Sequence, residues 1–372
     1  MKRFIIIENS NSAHEEGIFS LLKLLKLKGL YVVLLLGKIN MGRAMELKLN
    51  QFADEIHVLG RFSGVLKVLK FRRCDDVIIY NTISVRNSVF TFITSHGGGH
   101  NVYYIRNANS WLKYSWHYTS IVDYFTRNIS TFLNKIMLSG AKMILVENSR
   151  LKNYLVSNAV KNVEVVPFKL YDGFLRAPRL SAKINFVVPG IVDFRTKRID
   201  MVVDAFLKLD KEIRQRVQLT LLGRTKGVME ETKCQEWKLL LGSSFVYFSS
   251  FVPVLDFSRI MSECDAVVSA LIVQHRSEHF SEVYGLTRGS GVDAHAISHG
   301  LPLLVNDDFG VDSEYESSTI KFKDANELSF IISHLVTFPE NLDKLKSVAA
   351  FNAQNYSITT IFNNTTLLWK DL

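Results

Sequence analysis

Short, unbroken runs of apolar and β-branched residues recur along this sequence, separated by stretches with helical spacing. In the first half the runs fall at 4–7 (FIII), 31–36 (YVVLLL), 55–59 (EIHVL), 76–80 (DVIIY), 101–105 (NVYYI), 142–146 (KMILV) and 163–167 (VEVVP). A strand that is apolar at every position, rather than at every second one, is buried on both faces. Such strands form parallel sheets with helices on either side. The stretches between them supply the helices: at 18–29 apolar residues recur every three and four positions until Gly29 ends the pattern. Residues 168–182 break the rhythm with Gly173, Pro178 and the cations Lys169, Arg176 and Arg179, as a linker would. The alternation then restarts with runs at 184–190 (INFVVPG), 219–223 (LTLLG), 245–251 (FVYFSSF), 265–270 (DAVVSA), 301–305 (LPLLV) and 319–322 (TIKF). A last helix opens with Ser357 as its N-cap and runs to the C-terminus. The expected fold is α/β: two doubly wound Rossmann-like domains, residues 1–178 and 179–354, facing a cleft, with a C-terminal helix at 355–372 returning to the first. Ligands then bind at the C-terminal ends of the strands.

Charge divides unevenly between these halves. Residues 1–178 hold 24 Lys and Arg against 12 Asp and Glu, and the rest hold 21 against 24. The first half carries +12 of a chain whose net charge is +9. That excess suits an anionic partner (nucleic acid, a phosphorylated substrate or an anionic membrane surface), and a basic proteome or a solvated face is the alternative. No apolar run reaches the 18 residues that a membrane-spanning helix needs. The start, MKRFIIIENS, reads as a first strand and not as a signal peptide. Cys74, Cys234 and Cys264 are odd in number and lack CxxC spacing, which indicates a reducing compartment and neither a disulfide framework nor a zinc site.

Chemistry concentrates where strands of the second half end. Pro189 and Gly190 close one strand, and Asp193, Arg195, Lys197 and Arg198 follow before the next helix. Cations on a strand-to-helix loop are suited to clamping a diphosphate, and a solvated charged loop has the same composition. LLGRTKG sets Gly223, Arg224 and Lys226 after the next strand. Residues 282–302, EVYGLTRGSGVDAHAISHGLP, run from Glu282 through Arg288 and the Gly289-Ser290-Gly291 turn into a helical stretch. Glycines admit close backbone approach, and the N–H groups opening the helix form an anion site. A plain tight loop opening a helix is the alternative.

Taken as an ordered series, these elements resemble the C-terminal domain of GT-B glycosyltransferases, near the large family-4 group. The residues that carry the resemblance are VVPGIVDFRTKRIDMVVDAF with Lys197 and Asp200 in register, then LTLLG, VYFSSFV, CDAVVSA, the Glu-x-aromatic-Gly loop EVYG, HGLPLLVND and KDANELSFII, covering 184–335. The resemblance implies that 179–354 binds a nucleotide-diphosphate sugar and 1–178 the acceptor. By the same resemblance Lys197, helped by Arg195, holds the diphosphate, Glu282 holds hydroxyls of the donor sugar, and the Gly289–Gly291 turn meets phosphate through its amides. Gly190, Arg224 and Arg288 complete the donor set. This chain departs from the family in having Ile191 after the first glycine, Ser290 where a second Glu is usual, and His295 in place of an acidic residue. Ser290–Gly291 fits a variant in which a Ser-Gly pair stands there, and Asp293 or His295 is left for the ribose.

The first half matches the family in pattern only, through AKMILVENSRLKNYLVSNAVKNVEVVPF. There the loop after the first strand, residues 8–16, offers His14 as a general base for an acceptor hydroxyl. The other reading of the same loop is a helix start with Ser12 as cap and Glu15 completing a capping box. SHGGGH at 95–100 lacks further ligands for a metal. At 101–135 Tyr103, Tyr104, Trp111, Tyr114, Trp116, Tyr118, Tyr124 and Phe125 interleave with Arg106, Lys113, Arg127 and Lys135. Three readings fit that stretch: a membrane–water interface, stacking on single-stranded nucleic acid, or an aromatic acceptor wall with core.

Asp75–Asp76 opens a strand and Asp307–Asp308 ends one, so no Asp-x-Asp pair is placed for a metal. The expectation is a metal-independent glycosyltransferase of hexosyltransferase type, with no cofactor beyond its nucleotide-sugar co-substrate and no nucleic-acid partner. Its acceptor is expected to be a lipid-linked cell-surface polysaccharide or lipopolysaccharide, reached at the cytoplasmic face of an anionic membrane. A nucleotide-sugar epimerase on the same scaffold and a non-catalytic or nucleic-acid-binding relative are the alternatives.

Overall fold

The computed structural model describes residues 3–10, 15–60, 63–85, 87–96, 99–114, 120–173, 183–276 and 281–369. The expected domain boundary at 178–179 lies outside them. Contacts divide the chain into two compact units. Unit 1 comprises Met1–Lys169, Arg276–Gly289 and Ile358–Leu372, and unit 2 comprises Leu170–His275 and Ser290–Ser357.

The unit 1 sheet is built from β1 (Arg3–Glu8), β2 (Tyr31–Gly37), β3 (Glu55–Leu59), β4 (Val77–Tyr80), β5 (His100–Ile105), β6 (Met143–Val146) and β7 (Val163–Val165). Its order is β3-β2-β1-β4-β5-β6-β7, and every pairing is parallel. Apart from Tyr31 at the start of β2, the strands β2, β4 and β6 are buried at every position, as their unbroken apolar runs require. Tyr104 is buried too, and its hydroxyl donates to the Val166 carbonyl at 2.6 Å.

Unit 2 repeats the plan with β8 (Ile184–Pro189), β9 (Val217–Arg224), β10 (Phe245–Phe248) and β11 (Ala266–Ser269). The short strands β12 (Gln274–Arg276) and β13 (Ser281–Val283) come next in the chain, followed by β14 (Leu303–Asn306) and β15 (Thr319–Phe322). The unit 2 sheet has the order β10-β9-β8-β11-β14-β15, again all parallel. Phe186, Phe206, Trp237 and Phe245 pack edge to face in its core. Both sheets therefore reverse direction once, between β1 and β4 and between β8 and β11, which is the doubly wound Rossmann order.

Two elements differ from the sequence reading. Residues 121–139 form a 19-residue helix, Ile121–Ser139, capped by Ser120, whose hydroxyl accepts the Asp123 N–H at 3.1 Å. The C-terminal helix is Ile358–Asn364 and does not run on; a short turn, Leu367–Trp369, follows it. The side chain of Glu164 accepts the N–H groups of Leu367 and Leu368, and so holds this single 3-10 turn on the end of unit 1.

Candidate active site

Unit 2 builds its site where the strand order reverses. β8 ends on Pro189, and Gly190 adopts φ +85°, a region open to glycine. Lys197 fills the space that a side chain there would take: its Nζ lies 3.2 Å from the Cβ position of Gly190. The same Nζ donates to the carbonyls of Pro189 at 2.6 Å and Ile191 at 3.2 Å. Lys197 is only 8% exposed, so it is not part of a solvated charged loop. Burial pushes its ammonium down to about 8, against the opposing pull of Asp193.

The loop around it is held from both sides. Arg198 N–H donates to Ala270 at 2.7 Å, and Ile272 N–H donates to Thr196 at 3.0 Å. Asn306, at the end of β14, brackets Leu271 with bonds of 2.7 and 3.1 Å. Asp193 accepts from Arg195 N–H at 3.1 Å and Nε at 3.3 Å, and pairs with Lys226. Burial raises its carboxyl, but Lys226 and Arg195 outweigh that and hold it below the usual range. The Arg195 side chain is 67% exposed, and Arg224 stands exposed at the end of β9. A Cβ at Gly223 would overlap the Gly190 carbonyl, so these two glycines let β8 and β9 close up at the site.

The helix Gly291–Ser298 packs along β8 and β11. Ser290 is its N-cap, accepting the Val292 N–H at 3.1 Å, and the Asp293 carboxylate accepts the Ala294 N–H at 2.9 Å.

In unit 1 a polar residue stands at or just beyond the end of each central strand: Glu8 on β1, Asn81 after β4, Arg106 after β5 and Glu147 after β6. Glu8 is fully buried and accepts the Ser10 N–H at 2.9 Å, the Ser10 hydroxyl, and the Asn81 amide at 2.6 Å. Burial raises its carboxyl, with Ser10, Thr82 and Asn81 opposing. The Arg106 guanidinium lies between the rings of Tyr104 and Phe168, 4.4 and 4.7 Å from their centroids. It makes two long contacts of 3.4 Å, to Asn81 Oδ1 and to Glu147 Oε1. Sequence reasoning did not single out Asn81, Arg106 or Glu147 as site residues. The signal that finds them is a polar residue directly after each apolar run.

Residues 281–289 also belong to unit 1. Ala108 N–H donates to Thr287 at 2.8 Å, Gly289 N–H to Arg106 at 3.3 Å, and Arg150 Nε to Gly285 at 2.7 Å. Glu282 is 2% exposed; Oε1 accepts Ser110 N–H at 3.2 Å, and Oε2 accepts Asn109 N–H at 3.4 Å and the Thr287 hydroxyl at 2.6 Å. Burial pushes it up to about 7 against those bonds and Arg288. Arg288 lies over the Tyr284 ring, 5.0 Å from its centroid. A Cβ at Gly289 would overlap the Glu147 carboxylate.

No family model matches this sequence, and no curated protein matches it. Solved structures do. HepE of Anabaena in complex with UDP-glucose is 16% identical, with a TM-score of 0.68 over 100% of both chains. A glycosyltransferase from Rickettsia africae is 12% identical, with a TM-score of 0.67 over 100% of this chain and 98% of that one. A point mutant of TarM from S. aureus, in complex with UDP among other ligands, is 11% identical, with a TM-score of 0.69 over 98% of this chain and 99% of the other. The chain has the GT-B fold.

This GT-B chain sorts the residues expected of a donor site. Unit 2 gathers Gly190, Arg195, Lys197 and Arg224 around one strand reversal, and sets Ser290, Gly291 and Asp293 on a helix along the same strands. Glu282, Arg288 and Gly289 lie in unit 1, where Glu282 is engaged by the chain's own donors. His14 and Ser12 lie outside the described residues, while Glu15 opens the helix Glu15–Leu27. Among the described residues no group of three or more His, Cys, Asp or Glu is arranged to hold a metal. Asp76 is engaged in an ion pair with Arg3 at 2.7 Å.

Proposed function

We propose that this chain is a glycosyltransferase of hexosyltransferase type, which moves a sugar from a nucleotide-diphosphate donor to a glycan acceptor without a metal. The observation that carries the reading is the strand reversal of unit 2. There a buried lysine, a glycine at φ +85° and an exposed arginine follow β8, and the capped helix Gly291–Ser298 packs along β8 and β11. Such a set suits a diphosphate leaving group, whose negative charge grows as the glycosidic bond breaks. HepE and TarM, which share the fold, are complexes with UDP or UDP-glucose. Lys197, Arg195, Arg224, Gly190 and the 289–291 turn make up the proposed donor contacts, with Asp293 beside the ribose. Glu282 is proposed as the carboxylate that fixes the segment carrying Arg288 and Gly289, and His14 is retained as a proposed general base for the acceptor hydroxyl.

The acceptor is proposed to be a lipid-linked cell-surface glycan, reached from the cytoplasmic face of an anionic membrane. On the helix Ile121–Ser139, Val122, Phe125, Ile129 and Phe132 follow one another at three and four residues and are 75, 58, 50 and 54% exposed. An apolar stripe with Arg127 and Lys135 on the same helix suits an interfacial helix. No helix among the described residues is long and apolar enough to cross a membrane.

Calorimetry with UDP, followed by UDP release from UDP-glucose, tests the core of the reading. Micromolar UDP binding with release stimulated by a glycan acceptor is expected. Absence of UDP binding overturns it, and conversion of donor with no acceptor product points to an epimerase.

A further inference from the structure

The buried carboxylates at the C-terminal end of the unit 1 sheet are not equivalent. Glu8 and Glu282 have both oxygens engaged by donors of the chain itself. Glu147 does not. Its Oε1 accepts one long bond of 3.4 Å from Arg106, and its Oε2 accepts none from any described residue. Its side chain is 12% exposed, so it is not sealed off from a ligand. Gly289 covers one side of it at a distance that only a glycine permits. The φ of Gly289 is not in the left-handed region, so the backbone does not need glycine there; what the missing side chain leaves is room for the Glu147 carboxylate.

The groups that face Glu147 are Arg106 from the end of β5, Arg288 from the 281–289 segment, and the buried phenol of Tyr104. Burial raises the carboxyl, and the two guanidinium groups pull it back. A carboxylate held in place by one weak bond, with a second oxygen open, fits a group that receives a hydrogen bond from a substrate.

We infer that Glu147 binds the acceptor hydroxyl and takes its proton during transfer. The inference rests on the proposed glycosyltransferase function. As the acceptor oxygen bonds to the anomeric carbon, the bond from that carbon to the diphosphate oxygen breaks. Its electron pair leaves with the nucleoside diphosphate, and the acceptor proton passes to Glu147 Oε2.

The test uses the full chain, with UDP as the binding probe and UDP-glucose plus a panel of alkyl glycosides as substrates. In Glu147→Gln the Kd for UDP stays within about twofold of wild type, while UDP release falls by about a hundredfold or more. The rising limb of the kcat/KM pH profile disappears with it. In Gly289→Ala the added methyl meets the Glu147 carboxylate and displaces it, so turnover drops. Should Glu147→Gln fail to fold, Glu147→Asp carries the test, keeping the pH limb at reduced turnover with UDP affinity unchanged. Release within threefold of wild type in Glu147→Gln, or loss of UDP affinity in step with turnover, overturns the inference. So does a His14→Ala variant that removes the rising limb while Glu147→Gln keeps it. A wild-type protein that does not bind UDP fails the functional reading instead, and one that binds UDP yet releases none across the panel removes both.

Discussion

Lys197 and Arg195 stand two residues apart, yet their substitutions separate cleanly. Lys197→Ala leaves the carbonyls of Pro189 and Ile191 without their donor at a buried turn, and is expected to cost about 1–3 kcal/mol of stability. Arg195→Ala removes an exposed side chain and is expected to stay within about 0.5 kcal/mol. Both are expected to weaken UDP binding by about tenfold or more, since each removes a charged side chain proposed to contact phosphate. Denaturant unfolding and calorimetry on the two variants check this pair; equal stability losses would mean that Lys197 does not hold the turn. Gly223→Ala behaves differently again. Its new methyl meets the backbone of Gly190, which has no rotamer to escape to, so about 1–3 kcal/mol of destabilisation is expected from the unfolding midpoint.

At the scale of elements, Glu282 clips β13 and the loop after it to the start of the short helix Asn109–Leu112. Its folded-state carboxyl titrates near 7, above the ordinary 4.5, because burial disfavours the charge. The stability this group contributes is therefore fully present below about pH 4.5 and is lost as pH rises through about 7, a change on the order of 3 kcal/mol. Glu282→Gln is expected to flatten the dependence of unfolding free energy on pH across that window. Parallel curves for wild type and variant would show that the clip carries no such charge. The helix Ile121–Ser139 was missed in the sequence for a reason of its own. Its apolar stripe (Val122, Phe125, Ile129, Phe132) is exposed, while the residues it buries are Ser130, Thr131, Asn134 and Met137, so the usual rule that the apolar face marks the buried side of a helix is inverted here.

For the whole molecule, two outcomes follow from charge and from the donor set. Turnover is expected to survive EDTA, because the proposed donor contacts give the diphosphate cationic side chains and helix amides in place of a divalent ion. Loss in chelator with recovery on adding manganese or magnesium would reveal a metal site. Binding to liposomes is expected to require anionic lipid and to weaken as salt rises, since the first half of the chain carries the positive excess. Phe125→Ser with Ile129→Ser is expected to reduce that binding without altering UDP affinity. Co-sedimentation that ignores lipid charge and both substitutions would argue for a soluble acceptor.

The alternation of apolar runs and helical stretches was enough to determine two parallel sheets. Burial on both faces of a strand is written into consecutive residues, and a strand appears at every expected run. Glycine and lysine at 190 and 197 were legible for the same reason, because a turn and the loop closing over it lie within eight residues. What only the tertiary structure decided is which distant groups meet. Glu282 finds its donors at Asn109 and Ser110, 173 and 172 residues away. Glu147 finds its space against Gly289. Those partners are chosen by desolvation and close packing between separate segments, and neither leaves a periodic trace in the chain.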